Sequence, residues 1–426
     1  MKKTYLLILT AMLTVVSATQ IVAQHTIVNQ VIVGSGGDWG NPDDFVSVAA
    51  YKPNNEVTTT FGTVLTQSVQ DIVISGSYAF VAAQDSIAKF NIDTYEKVAV
   101  IEALGVNRLL VSDDKLMVSF QFPATENFVR FYSAEDLTFI SNVAEVSDES
   151  AGLLVVDDLA YAAVPGGWAS TVGKIAIISL NDYSLVDEIN FDTLGQGMYD
   201  LFYYDDKIMS VNRTPWGGTS GYISAINSVG SHTESHMVDA TIGKMAGIVD
   251  GLLFTIMNGG VGVIDLTDFS IADTAFIEAP ALTIAGVAMD TIDGIFYVTT
   301  TDFFSMGAGT IYDALGIETG TFEAGISPDA IAIDYRDNTG ISDLYSVNEI
   351  KIYPNPSSDV ITVEVSDGLS SDNFRIVDIS GREIMSGDIR LKTSAANIDI
   401  SSLQSGLYFL ILSDGSSLIT SQFIKK

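Results

Sequence analysis

The sequence holds no cysteine, three histidines, and only 20 lysines and arginines against 53 acidic residues in 426 positions. The first absence excludes disulfides, thiolate zinc sites, iron–sulfur clusters and a cysteine nucleophile. Three imidazoles (His25, His232 and His236) leave little from which to build a His-rich metal centre or a Ser-His-Asp triad. A formal charge of −33 repels phosphate, so nucleic acid is not an expected partner. After the first two dozen residues no uncharged apolar run reaches about 18 residues, and no transmembrane segment is expected in the mature chain. Hydrophobic residues are plentiful instead, at 47%, with 10% aromatic, which sets aside global disorder. At about 100–200 residues per domain, the length suggests two or three domains, or one large repeat array with an added module.

Charge and pattern divide the chain into three. Residues 1–24 carry two lysines and no acid, residues 25–348 carry 43 acids against 11 bases, and residues 349–426 carry 10 against 7. The first segment opens on basic Met1-Lys2-Lys3, continues with the apolar run Tyr5 to Val16, and ends in small and polar residues up to Ala23-Gln24. That order is expected of an export signal, residues 1–24, cleaved close to its end. With no cysteine at the cleavage point, a bacterial lipid anchor is not expected.

Residues 25–340 read as strands throughout, β-branched and aromatic runs broken by Gly, Asp, Asn and Ser. Two hairpins alternate. The first recurs at 72–82, 109–119, 153–163, 201–211, 246–256 and 288–299, with turns such as Asp113-Asp114, Asp205-Asp206 and Asp250-Gly251. Asp and Gly suit tight turns because both tolerate positive φ. The second recurs at 88–101, 129–142, 176–189, 224–237, 262–276 and 310–323, with a further copy first in the chain at 46–61. A seventh first strand, 329–335, has no second strand following it. Anchors at Asp71, Arg108, Gly152, Asp200, Met245, Ala288 and Asp329 are 37 to 48 residues apart. Four strands per roughly 40–45 residues is the period of a propeller blade. The expected fold is therefore all-β: a seven-bladed β-propeller whose last blade is closed by N-terminal strands, so that no raw edge is left at either end. A series of β-sandwiches is the rival architecture. In period and hairpin style the region resembles the YncE-like or YVTN β-propellers, including surface propellers of Bacteroidota.

From Tyr353 the pattern changes. After a linker at 341–349, residues 350–426 contain about seven short strands, which suggests a small antiparallel β-sandwich. Gly381 and Gly406 stand where turns are needed. Tyr353-Pro354-Asn355-Pro356, then DVITVEV, VDISGREI and IDISSLQSGLYFLIL with Tyr408, then the terminal Phe-Ile-Lys425-Lys426, follow one another in order. This succession resembles the type A sorting domain of the type IX secretion system. The resemblance implies a Bacteroidota origin and passage across both membranes, with the secretion machinery and its sortase as partners. It also implies removal of the module, leaving the protein extracellular or attached at the outer cell surface.

In a propeller the turns within hairpins leave one face, and the loops between hairpins leave the other. The within-hairpin turns here are short and acidic. Turn chemistry and solubility account for them, with a cation surface as the alternative. The other face holds all three tryptophans, Trp39, Trp168 and Trp216, with Phe120, Phe122, Phe303 and Phe304. Arg213 lies in the same loops, and Arg108 and Lys244 are placed at links between blades on that face. These scarce cations could orient an anionic or polar group, and aromatics on a concave face hold flat or sugar-like ligands. The alternative is that each Trp packs onto its own blade. Calcium is conceivable at Asp38, Asn41, Asp43 and Asp44, although the spacing is not that of an EF-hand; no other cofactor is expected. His232 and His236 lie on a strand, where a separation of four residues spans about 13 Å, which disfavours zinc.

No acid–base pair stands out and no Gly-x-Ser-x-Gly elbow has a histidine partner. The leading expectation is an exported, noncatalytic propeller that binds a small molecule, a glycan or a protein through its aromatic loop face. One alternative is a lactonase- or lyase-like enzyme acting on glycans with Asp71, Asp200 or Asp329 at the channel mouth. An adhesion or scaffold protein is the other.

Overall fold

The computed structural model describes residues 25–167, 172–227, 233–338, 350–365, 373–378, 382–389, 395–413 and 418–426. The expected signal segment, Trp168, His232 and Gly381 lie outside them. The chain divides into two compact units, Met1–Asn338 and Thr339–Lys426.

Between Val69–Ser75 and Ser270–Ile277 the first unit forms five antiparallel sheets, each of four strands consecutive in the chain. Second strands such as Tyr78–Ala83, Lys115–Phe120 and Leu159–Val164 are buried at every position but the first. Such strands are covered on both faces by neighbouring sheets, which is why they read as continuous apolar runs rather than alternating ones. Fourth strands such as Glu96–Glu102 are largely exposed at the rim and carry the charge. Phe120, expected in a loop, is the last residue of its strand and fully buried. Arg108 and Lys244 lie within the inner strands Val106–Ser112 and Ile242–Val249, not in the links preceding them.

The remaining strands form one seven-stranded sheet in the order Thr283–Asp290, Ile295–Thr301, Met306–Tyr312, Glu318–Asn338, His25–Gly36, Val46–Lys52 and Val57–Val64. Glu318–Asn338 serves twice. Its first half, up to Ile326, pairs with Met306–Tyr312 as a fourth strand. Its second half, to Asn338, pairs with His25–Gly36 as a first strand. Divided there, the described residues give seven groups of four strands. The inner strands contact one another in sequence from Val69–Ser75 to Met198–Tyr204 and from Ile242–Val249 to Glu318–Asn338, which touches Val69–Ser75 again; between the two runs, Lys207–Asn212 packs on Ile242–Val249 and the Met245 N–H donates to Asp200. The N-terminal strand thus takes the second-strand place that the seventh repeat leaves open.

Turn chemistry follows the residues. Asp205, Asp206, Asp250 and Gly251 all have positive φ, as a two-residue I′ turn requires. Turns between third and fourth strands place a bulky residue at positive φ in four sheets: Tyr95, Leu137, Tyr183 and Phe269. Three of these rings pack on the preceding sheet: Tyr95 on Phe61, Tyr183 on Phe131, and Phe269 on His236.

Among its described residues the second unit holds seven strands in two antiparallel sheets. Ile350–Tyr353, Val360–Val365 and Ala395–Asp399 form one; Glu383–Asp388, Asn373–Asp378, Gly406–Ser413 and Leu418–Lys425 form the other. Ile361, Val363 and Ile398 from the first sheet share a core with Ile376, Leu410, Leu412 and Phe423 from the second. The two ends of the sorting motif meet. The Ile424 N–H donates to Asn355 Oδ1 at 2.9 Å, Ser357 N–H donates to Ile424 O, and Lys426 N–H donates to Ser357 O. Tyr353 is half-exposed and donates to Glu364, while Tyr408 donates to Gln404 O and stacks on Phe423. Lys425 is buried, its ammonium donating to Lys426 O, and Gly406 opens the strand that carries Tyr408.

Candidate functional site

The first-strand anchors bring charge to the mouth of the ring. Asp71 accepts from the Leu109 N–H at 2.9 Å and from Arg108 Nη1 at 3.3 Å. Asp200 accepts from the Met245 N–H at 3.1 Å and from Arg213 Nη2 at 3.0 and 3.1 Å. Each carboxylate therefore ties its own inner strand to that of the next sheet. Lys244 donates to the carbonyl oxygens of Ala285 and Asp329, both at 2.7 Å, with the Asp329 carboxylate 4.0 Å away.

Burial dominates the electrostatics here. It raises the Asp71 and Asp329 carboxyls above the usual range. At Asp200 burial is opposed by the Arg213 and Arg108 charges and by hydrogen bonds from Arg213 and the Met245 N–H, and the carboxyl is held below that range. Burial, with the neighbouring Arg108 charge adding to it, pulls the Lys244 amine down to about 8. The three cations expected to orient a ligand are thus engaged by three internal carboxylates.

Beside this cluster, the second, third and fourth sheets leave a cleft of about 260 Å³. Tyr199 forms its floor, with the Arg213 guanidinium carbon 3.5 Å from the ring centroid and that of Arg108 at 5.0 Å. The Tyr199 hydroxyl donates to Asn107 Oδ1 at 2.7 Å, and Asn107 Nδ2 donates to Ser150 O at 2.8 Å, so the floor is fixed. Gln121 and Glu149 line the walls, and among the described residues neither side chain has a hydrogen-bond partner. Trp216 stands at the rim with its ring fully exposed.

Of the expected ligand residues, Trp216 and Arg213 meet in this cleft, and Arg108 lies beneath it. Trp39, Phe303 and Phe304 are exposed in loops of the same end but line no part of it, and Lys244 belongs to the neighbouring ion cluster. Asp302 accepts from the Phe304 and Ser305 N–H groups and the Ser305 hydroxyl, which holds its carboxyl at about 2. Asp38, Asn41 and Asp44 accept from nearby backbone N–H groups, and the described residues contain no cluster of three His, Asp or Glu placed to hold a metal. His236 lies flat on Phe269, ring centroids 3.8 Å apart, with Glu234 at 3.4 Å. Sequence reasoning passed over Tyr199, Asn107 and Glu149; the available signal was the Tyr-Asp pair at the fourth-sheet anchor, 14 residues before Arg213.

Comparison with known proteins adds the class. Residues 351–426 match the family of secretion system C-terminal sorting domains, so the second unit carries a type IX sorting domain. Such a domain implies export to the cell surface or extracellular space and engagement of the secretion machinery. No curated protein matches the chain. Among solved structures, a functionally unknown protein from Desulfotomaculum acetoxidans is similar at TM-score 0.53 and 12% identity, over 72% of this chain and 98% of that one. The WD40 repeats of RRP9 reach 0.50 at 12% identity, over 78% and 92%. The extracellular domain of a one-component system from B. thetaiotaomicron reaches 0.50 at 11%, over 94% of this chain but 57% of that one. At such identities these likenesses concern the fold: the first unit is propeller-like. Among the described residues no helix is long and apolar enough to cross a membrane.

Proposed function

We propose that the chain is an exported seven-bladed propeller of the YncE-like kind that holds a ligand at the cleft between its second, third and fourth sheets without transforming it. The observation that carries this reading is the cleft itself. An exposed indole stands at the rim of a fixed tyrosine–arginine floor, and among the described residues two polar side chains, Gln121 and Glu149, have no hydrogen-bond partner. Concave sites with a few converging polar groups and an aromatic wall are where small molecules bind. A binding role is favoured over catalysis because Asp71 and Asp200 are spent on backbone N–H groups and arginines, and among the described residues Glu149 is the one carboxylate lining the cleft. The export signal at residues 1–24 and sortase removal of the second unit belong to the same proposal.

Native mass spectrometry of the protein exported by its own source, as wild type and as Trp216→Ala, tests it. The expected result is a small molecule retained by the wild type and lost from the variant, with melting unchanged because the indole is exposed. A wild-type protein that arrives empty, or a molecule retained equally by both, overturns the cleft as the binding site.

A further inference from the structure

We infer that the cleft takes an uncharged saccharide residue; this rests on the ligand-binding reading above and specifies its chemistry. Three features of the site converge on that class.

The first is charge. The Arg213 guanidinium is neutralised by Asp200 at 3.0 Å and stacked on Tyr199, so it has little charge left to offer a ligand. Arg108 beneath is likewise held between Asp71 at 3.3 Å and Asp200 at 4.0 Å. Among the described residues the charge at the wall without an ion-pair partner is the Glu149 carboxylate, and it repels phosphate, sulfate and uronic acids.

The second is hydrogen bonding. The two side chains without a partner among the described residues have opposite demands: Glu149 only accepts, whereas the Gln121 amide both donates and accepts. An ammonium ligand satisfies Glu149 and leaves the Gln121 N–H groups without an acceptor. A carboxylate does the reverse. A hydroxyl gives and takes a hydrogen bond at once, so a ring bearing several of them answers both walls.

The third is shape. The volume of about 260 Å³ falls just under the roughly 300–1,000 Å³ typical of sites for larger ligands, and suits one ring rather than a chain. The exposed Trp216 offers a flat apolar face to the C–H side of such a ring while the opposite edge reaches the polar walls.

The experiment follows the indole N–H signal of Trp216 by NMR in the full chain, assigned with Trp216→Phe. The probes are the methyl glycosides of glucose, galactose and mannose, N-acetylglucosamine, glucuronate, inorganic phosphate and spermidine. The expected result is a saturable shift with at least one neutral saccharide, none with the charged probes, and binding weakened tenfold or more in Gln121→Ala. A saturable shift with glucuronate, phosphate or spermidine and with no neutral saccharide overturns the saccharide inference and leaves the cleft standing as a binding site. If no probe shifts the signal, the saccharide inference falls. The binding reading is then decided separately by whether the exported protein retains a molecule through Trp216.

Discussion

Tyr95 lies on Phe61, ring centroids 4.6 Å apart and planes within 18°, across the junction between the first sheet and the sheet that holds the N-terminal strands. The Tyr95 hydroxyl also donates to buried Gln30 at 2.9 Å, and Gln30 donates in turn to Ile92 O and Asp334. One turn residue thus joins both ends of the first unit. Offset-stacked pairs contribute about 0.5–1.5 kcal/mol beyond area burial. A double-mutant cycle of Tyr95→Ala and Phe61→Ala, read by urea unfolding, should return a coupling of that size. Additivity of the two single changes would show that the stack is incidental.

Arg213 and Asp200 form the best-placed ion pair of the mouth, both mostly buried. Removing one partner strands a desolvated charge, at a cost of about 3–5 kcal/mol. Arg213→Met should lower the melting temperature clearly, and Asp200→Asn should do so as well while also weakening the bond to the Met245 N–H. A change of a degree or less in either variant would mean that solvent reaches the pair.

Lys244 gives a pH signature of definite sign. Its amine titrates near 8 in the folded protein, below the 10.5 of an unperturbed lysine, because burial disfavours the ammonium. The unfolded chain then binds more protons than the fold between these two values. The Lys244 contribution to stability therefore rises as pH climbs from about 8 towards 10.5, and below 8 its destabilising effect is fully present. A methylated-lysine NMR titration should show one resonance with a midpoint near 8, missing in Lys244→Met. The difference in stability between wild type and that variant should move in favour of the wild type across the same window.

Asp302 shapes the loop that bears Phe303 and Phe304. Three donors converge on its carboxylate, and Phe303 itself sits at positive φ. Asp302→Ala should make the loop a faster chymotrypsin site at those two phenylalanines without lowering the melting temperature. In the wild type the same loosening should be confined to acid near pH 2, where the carboxylate takes up its proton. Equal cleavage rates in wild type and variant would show that the hydrogen bonds to Asp302 do not hold the loop.

Much of this architecture was legible because the propeller repeats one unit. The paired hairpins fall on the strands expected from them, and the offset of one hairpin correctly announced that N-terminal strands complete the last group. The continuity of Glu318–Asn338 was not legible, since Gly325, Ser327 and Pro328 interrupt the apolar pattern just where the strand passes from one group to the next. Phe120 misled because its strand ends directly on a Pro-containing loop. At the site, Trp216 and Arg213 were visible in one Gly-rich loop. Tyr199, Asn107 and Glu149 were not, because they come from separate sheets and only the closed ring puts them together. The cations were visible by their scarcity, but a linear reading could not show that Asp71 and Asp200 would claim Arg108 and Arg213.

The shared strand also sets a timetable. His25–Gly36 is made first, yet its partner Ala330–Asn338 is made some three hundred residues later, and Gln30 stays without Asp334 until then. Contacts so distant in sequence slow folding, because a very large loop must close before they form. A chain cut short before Ala330 would leave the opening strand held by Val46–Lys52 on one edge and open along the other. The ring therefore works as a test of its own completeness. Only a chain translated to the threshold of the sorting module can shut, and an interrupted one carries an exposed strand edge that marks it as unfinished.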